Sequence, residues 1–103
     1  MPSLTVSPAR AVAFAVLERV FDDGAWADRA LVAEARRAGL DARDRALATQ
    51  LAYGTVQRAA TLDHLIRTFA GRPAGELDAP LRTALRLGLY QLAYLERIPD
   101  HAA

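Results

Sequence analysis

Apolar residues along this chain recur every three or four positions, and no stretch alternates apolar with polar as a half-buried strand would. The pattern predicts five helices. Ser7 and Pro8 supply an N-cap and a first helical residue. The first helix should run to about Phe21, with Ala11, Phe14, Leu17 and Phe21 facing inward and Gly24 beyond its end. A second spans about Ala27 to Ala38 and stops at Gly39, with Ala30, Leu31, Glu34 and Ala35 along one side. Asp41 caps the third, and Asp44 meets the positive end of its dipole. This helix passes Leu47, Leu51 and Thr55 and ends near Arg58. Gly54 lies inside it at a cost of about 1 kcal/mol relative to alanine, which predicts either a close approach by another helix or a bend.

The fourth helix is expected over about Thr61 to Phe69, stopping at Gly71, and Gly71 to Gly75 reads as the one clear loop. The fifth follows Asp78 and Pro80 and runs to about Leu95, with Leu81, Leu85, Gly88, Leu89, Leu92 and Leu95 on one inward face. Asp100 reads as the cap of yet another helix, directly before the last three residues. The natural polypeptide is therefore expected to continue, and part of the leucine face to stay exposed without the missing helices.

Composition narrows the chemistry. With 103 residues, of which 52% are hydrophobic and 24% charged, the chain suits one globular domain over residues 1–103. There is no cysteine, which excludes disulfides, thiolate metal sites and a cysteine nucleophile. The apolar run Ala11 to Leu17 is flanked by Arg10 and by Glu18 and Arg19, unlike a secretory leader, and nothing approaches the roughly 20 apolar residues of a membrane span. A cytoplasmic location with no membrane partner is expected. His64 and His101 stand apart, so no metal site is expected. No glycine-rich loop follows a strand, so neither a cofactor nor a catalytic residue is expected.

The net charge of +1 does not announce a nucleic-acid binder, but all thirteen basic residues are arginine. Arginine holds phosphate through a planar fork and stacks on bases, although a compositional preference over lysine gives the same count. In the fifth helix Arg82, Arg86, Tyr90 and Tyr94 stand four apart, with Arg97 three later, along one helical ridge. Such a ridge can hold phosphates and stack unpaired bases. The same spacing also suits a structural role, with Arg86 paired to an acid such as Asp44 and the tyrosines in the core.

The string from Asp41 to Ala48, then Tyr53-Gly54-Thr55-Val56-Gln57-Arg58 and Leu62-Asp63, resembles the middle of the NusB/RsmB helical family. Leu85 to Leu92, followed by Arg97-Ile98-Pro99-Asp100-His101-Ala102-Ala103, resembles the family's fifth helix and the start of the next. The Tyr-Gly-Thr, Leu-Gly-x-Tyr-Gln and Pro-x-His-Ala-Ala forms are most similar to its rRNA cytosine-C5 methyltransferase branch. The resemblance covers about residues 8 to 103. It implies an all-α, NusB-like fold of two small helical bundles, helices one to three and then four onward, with a joint near 71–77 and C-terminal helices missing. It also implies RNA contact near the start of the first helix, where Arg10 matches a basic position. In the family, a C-terminal Rossmann-like domain holds S-adenosylmethionine and the catalytic cysteines, and this chain has neither.

The expected role is thus a non-catalytic RNA-binding domain that helps a covalently linked methyltransferase domain engage small-subunit rRNA. The RNA-contact candidates are Arg10, Arg45, Arg58, Arg82, Arg86, Tyr90 and Arg97. One rival is a NusB-type antitermination factor that binds boxA-like RNA with a ribosomal protein partner. Free NusB proteins carry several basic residues before the first helix, whereas only Arg10 is present here. A rival of another class is a helical protein-interaction module that works through its apolar surface.

Overall fold

The computed structural model describes residues 7–95. Within them the chain forms α1 (Pro8–Asp23), α2 (Ala27–Ala38), α3 (Ala42–Gln57), α4 (Ala59–Ala70) and α5 (Ala79–Tyr90), and α5 runs on into a π-helical turn, Gln91–Leu95. A 3-10 turn, Ala74–Glu76, lies between α4 and α5. The sequence cues act where expected. Ser7 Oγ accepts from the Arg10 amide at 3.2 Å, and Asp41 Oδ1 accepts from the Asp44 amide at 2.8 Å, each satisfying a donor that its helix leaves open. Left-handed glycines end α1, α2 and α4, at Gly24, Gly39 and Gly71.

α1 packs against α2, α3 and α5. That environment widens and rotates its buried sector relative to the expected stripe. Ala9, Val12, Ala13, Val16 and Leu17 are buried, Ala11 is exposed, and Phe14 and Phe21 are half-buried. The small side chains of Ala9 and Ala13, both fully buried, let neighbouring helices come close. Ala30, Leu31 and Ala35 of α2 and Ala48, Leu51 and Ala52 of α3 complete this side of the core. Leu62 of α4 and Leu87 and Tyr90 of α5 belong to the same cluster. A second, smaller cluster joins Ile66, Ala74 and Leu77, with Leu85 and Leu89 packed on it. The 71–77 segment, expected as a subdomain joint, contributes Ala74 and Leu77 to that cluster.

α5 is turned differently from the expectation. Thr83, Leu87 and Tyr90 are its buried residues, while Leu81 and Leu92 are 48% and 62% exposed. The cause lies at Gly54. A Cβ built there would overlap the Tyr90 ring, with Oη, Cζ and Cε1 as its nearest atoms. Gly54 therefore marks a close approach by another helix, made through a tyrosine ring. Once Tyr90 is inserted at Gly54, the leucine row turns partly outward. Arg86, four residues earlier, turns toward α4. Its Nε and Nη2 donate to the two carboxylate oxygens of Asp63 at 2.7 and 2.8 Å, and its guanidinium lies 4.3 Å from the centre of the Phe21 ring. The partner is thus Asp63 and not Asp44, because α5 presents this face to α4.

Two predictions follow from this packing. Alanine in place of glycine inside a helix normally stabilises by about 0.5–1 kcal/mol. Gly54→Ala should instead destabilise, by about 1–3 kcal/mol, because the added methyl meets the Tyr90 ring. In a Tyr90→Ala background the same substitution should become neutral or stabilising. Denaturant midpoints of the four chains check this, and an unchanged sign between backgrounds would contradict the steric account. Asp63→Ala should cost about 1–3 kcal/mol by leaving the mostly buried Arg86 guanidinium without its acceptor. An unaltered midpoint would show that solvent screens the pair.

Candidate nucleic-acid interface

The start of α1 sets the first cationic position. The Arg10 side chain reaches across to α5, where Nε donates to Gln91 Oε1, while Nη1 lies 3.4 Å from Ser7 Oγ. Gln91 is itself tied down, its amide donating to the Leu87 carbonyl at 3.2 Å. Arg10 thereby stands at the rim of a groove of about 470 Å³ between α1 and α5, with Phe14, Ala84, Leu87 and Gly88 among its lining. A half-exposed arginine at the positive end of a helix, above an apolar groove, has the chemistry to hold a phosphate.

Two more arginines are open to solvent at opposite ends of α3. Arg45 lies in the first turn beside Leu40 and Thr49. Arg58 caps the far end, where its guanidinium sits 4.7 Å from the centre of the Tyr94 ring. Tyr94 in turn stacks on Tyr90, with centroids 5.3 Å apart and planes at 24°. A continuous stack thus runs from the Gly54 notch through Tyr90 and Tyr94 to Arg58. It holds the guanidinium against an aromatic ring, which limits the entropy lost when it binds. Thirteen residues of helix put Arg45 and Arg58 roughly 20 Å apart, so they do not form one cluster.

The remaining candidates lie deeper. Arg82 donates to the carbonyls of Leu77 at 3.0 Å and Ala74 at 3.4 Å, which holds the 3-10 turn onto α5. Arg86 is occupied by Asp63, and Tyr90 is 7% exposed. Arg97 falls outside the described residues, as does His101. The four-residue spacing brings Tyr90 and Tyr94 together, but Arg82, Arg86 and Tyr90 face the protein, and Arg58 joins the two rings from the end of α3. Among the described residues no three histidine, cysteine or acidic side chains gather as a metal site, and no helix is long and apolar enough to cross a membrane.

One surface residue was not anticipated. Trp26, the only tryptophan, is 76% exposed. It is the N-cap of α2 and provides no side-chain cap, in a place where Ser, Thr, Asp or Asn would add about 1 kcal/mol. It borders a hollow of about 370 Å³ with Asp28, Tyr53 and Gln57. The legible signal was an aromatic side chain at a capping position between Gly24 and a well-formed helix.

Known proteins of related sequence and fold agree with this architecture. The model of the NusB family matches residues 7–103. A probable ribosomal RNA small subunit methyltransferase B from Synechocystis is 39% identical over 92% of this chain, and its counterpart from Thermus thermophilus is 46% identical over 90%. A putative methyltransferase from Mycobacterium tuberculosis is 40% identical over 95%. The chain spans about a fifth of the length of these relatives, 21% or 22% in each case. Among solved structures, a chain in the crystal structure of a plectonemic RNA supercoil superposes with a TM-score of 0.81 at 25% identity, over 86% of this chain and 66% of that one. With the family's model matched over residues 7–103, the chain belongs to the NusB family.

Proposed function

We propose that this domain is the RNA-binding accessory module of a small-subunit rRNA cytosine-C5 methyltransferase. It engages rRNA on behalf of a catalytic domain in the same polypeptide. The observation that carries the reading is the set of relatives: the Synechocystis and Thermus proteins, which match nine-tenths of the chain, are named as a probable and a plain small-subunit rRNA methyltransferase, the Mycobacterium one as a putative methyltransferase, and the chain accounts for only about a fifth of each. A structural neighbour crystallised with an RNA supercoil supports RNA as the ligand class. The sequence supports the accessory role, since it has no cysteine to serve as the nucleophile that the methyltransferase branch is expected to use.

In this reading Arg10, Arg45 and Arg58 meet the RNA backbone from separate points on α1 and α3. Spaced contacts of this kind set register on a folded RNA more than they select a sequence. Arg82, Arg86 and Tyr90 act beneath the surface by fixing α5, against which Arg10 and Arg58 are braced. Binding to a small-subunit rRNA transcript should weaken as salt rises, with a log–log slope set by the number of phosphates neutralised. Arg10→Ala should lower that slope by about one unit and leave the fold intact. A transcript that fails to bind even at low salt would overturn the proposal and favour a protein-interaction role.

A further inference from the structure

We infer that the hollow between Trp26 and Tyr53 is the place where an unpaired RNA base stacks. The inference rests on the RNA-binding reading above and adds a base-recognition site to its backbone contacts. Trp26 breaks two local rules at once. A tryptophan is normally mostly buried, and this one is 76% exposed. An N-cap normally presents a short polar acceptor, and this one presents none. Its backbone carbonyl still accepts from the Ala30 amide at 3.0 Å, so the helix start depends on the main chain and not on the indole. A residue that departs from local preference without aiding the fold marks a functional position.

The surroundings select the ligand. Trp26 and Tyr53 offer aromatic surface to one hollow, with the Gln57 amide and the Asp28 carboxylate among its lining. These groups can donate to and accept from the edge of a base, and Asp28 suits an exocyclic amino group. Arg29 follows Asp28 and Arg58 follows Gln57; both are exposed, and neither has an acidic partner among the described residues. Arg29 lines the next hollow along α2, and Arg58 lies on the Tyr94 ring at the end of α3, so exposed cations stand beyond the aromatic surface where the backbone of a stacked base would continue. An apolar peptide would give these two arginines no anionic partner, so charge complementarity favours nucleic acid over such a peptide.

As the only tryptophan, Trp26 reports on the hollow through its own fluorescence. Titrating the full chain with a small-subunit rRNA transcript should quench that emission in step with binding measured independently, whereas a fully paired RNA duplex should not. Trp26→Ala should weaken transcript binding roughly 5- to 150-fold, the range that stacking of a base on an aromatic ring commands. Trp26→Phe should keep most of the affinity, and neither change should move the melting midpoint. A transcript bound equally well by Trp26→Ala, with unquenched emission in the unaltered chain, would overturn this site while leaving the RNA-binding reading in place. Absence of any transcript binding would instead sink that reading and the site with it. If the methyltransferase domain, added as a separately produced protein, quenched Trp26 and the RNA did not, the hollow would be a protein contact and the inference wrong.

Discussion

A tyrosine ring occupies the space that any side chain at position 54 would need, and the arrangement of the domain follows from that exclusion. Seating Tyr90 at Gly54 fixes both the rotation and the depth of α5 against α3. The rotation points Leu87 into the main core and leaves Leu81 and Leu92 at the surface. It also aims Arg86 at Asp63 on α4 and at Phe21 on α1, so three helices converge on one guanidinium. A well-formed bidentate pair with a ring beneath it is more sensitive to geometry than to strength. It therefore favours one register of α5 over its neighbours. The backbone cost of a glycine inside α3 is offset by this specificity.

The same insertion reaches the surface. Tyr90 supports Tyr94, and Tyr94 supports Arg58, so a cation at the end of α3 is oriented by a contact made in the core. Arg10 depends on α5 through Gln91 in a parallel way. Long flexible arginines lose entropy on binding a phosphate, and pre-orienting them reduces that loss. In the proposed role the domain would serve RNA engagement by holding separated cations on one helical body, as an accessory module, and the relatives it matches are about five times its length.

Much of this was legible in the sequence because helix ends depend on local chemistry. Ser7, Asp41, Gly24, Gly39 and Gly71 each act within a turn of their own position, and the elements they delimit stand within a few residues of the expected ones. Gly54 was legible as an anomaly, since a glycine inside a helix asks for a reason. What faces it was not legible, because α5 offers two apolar strips. The leucine row is the more obvious on a helical projection, yet Thr83, Leu87 and Tyr90 are the ones buried. Only the shape of the notch on α3 decides between them. The partner of Arg86 was misjudged for the same reason: Asp44 and Asp63 are equivalent in one dimension, and the rotation of α5 selects Asp63. The arginine ridge had the right spacing, but spacing does not say which side of it meets water. Trp26 was missed because periodicity draws attention to faces, and it stands between them.

Tyr90 in the Gly54 notch makes α5 part of the same cooperative unit as α1 and α3. Native-state hydrogen exchange across the chain tests it most directly. Amides of α5 around Leu87 and Tyr90 should exchange only through the global unfolding that also exposes those around Val16 and Leu51, with the same opening free energy. Protection of α1 and α3 that persists while the α5 amides open separately, at a clearly lower free energy, would contradict it.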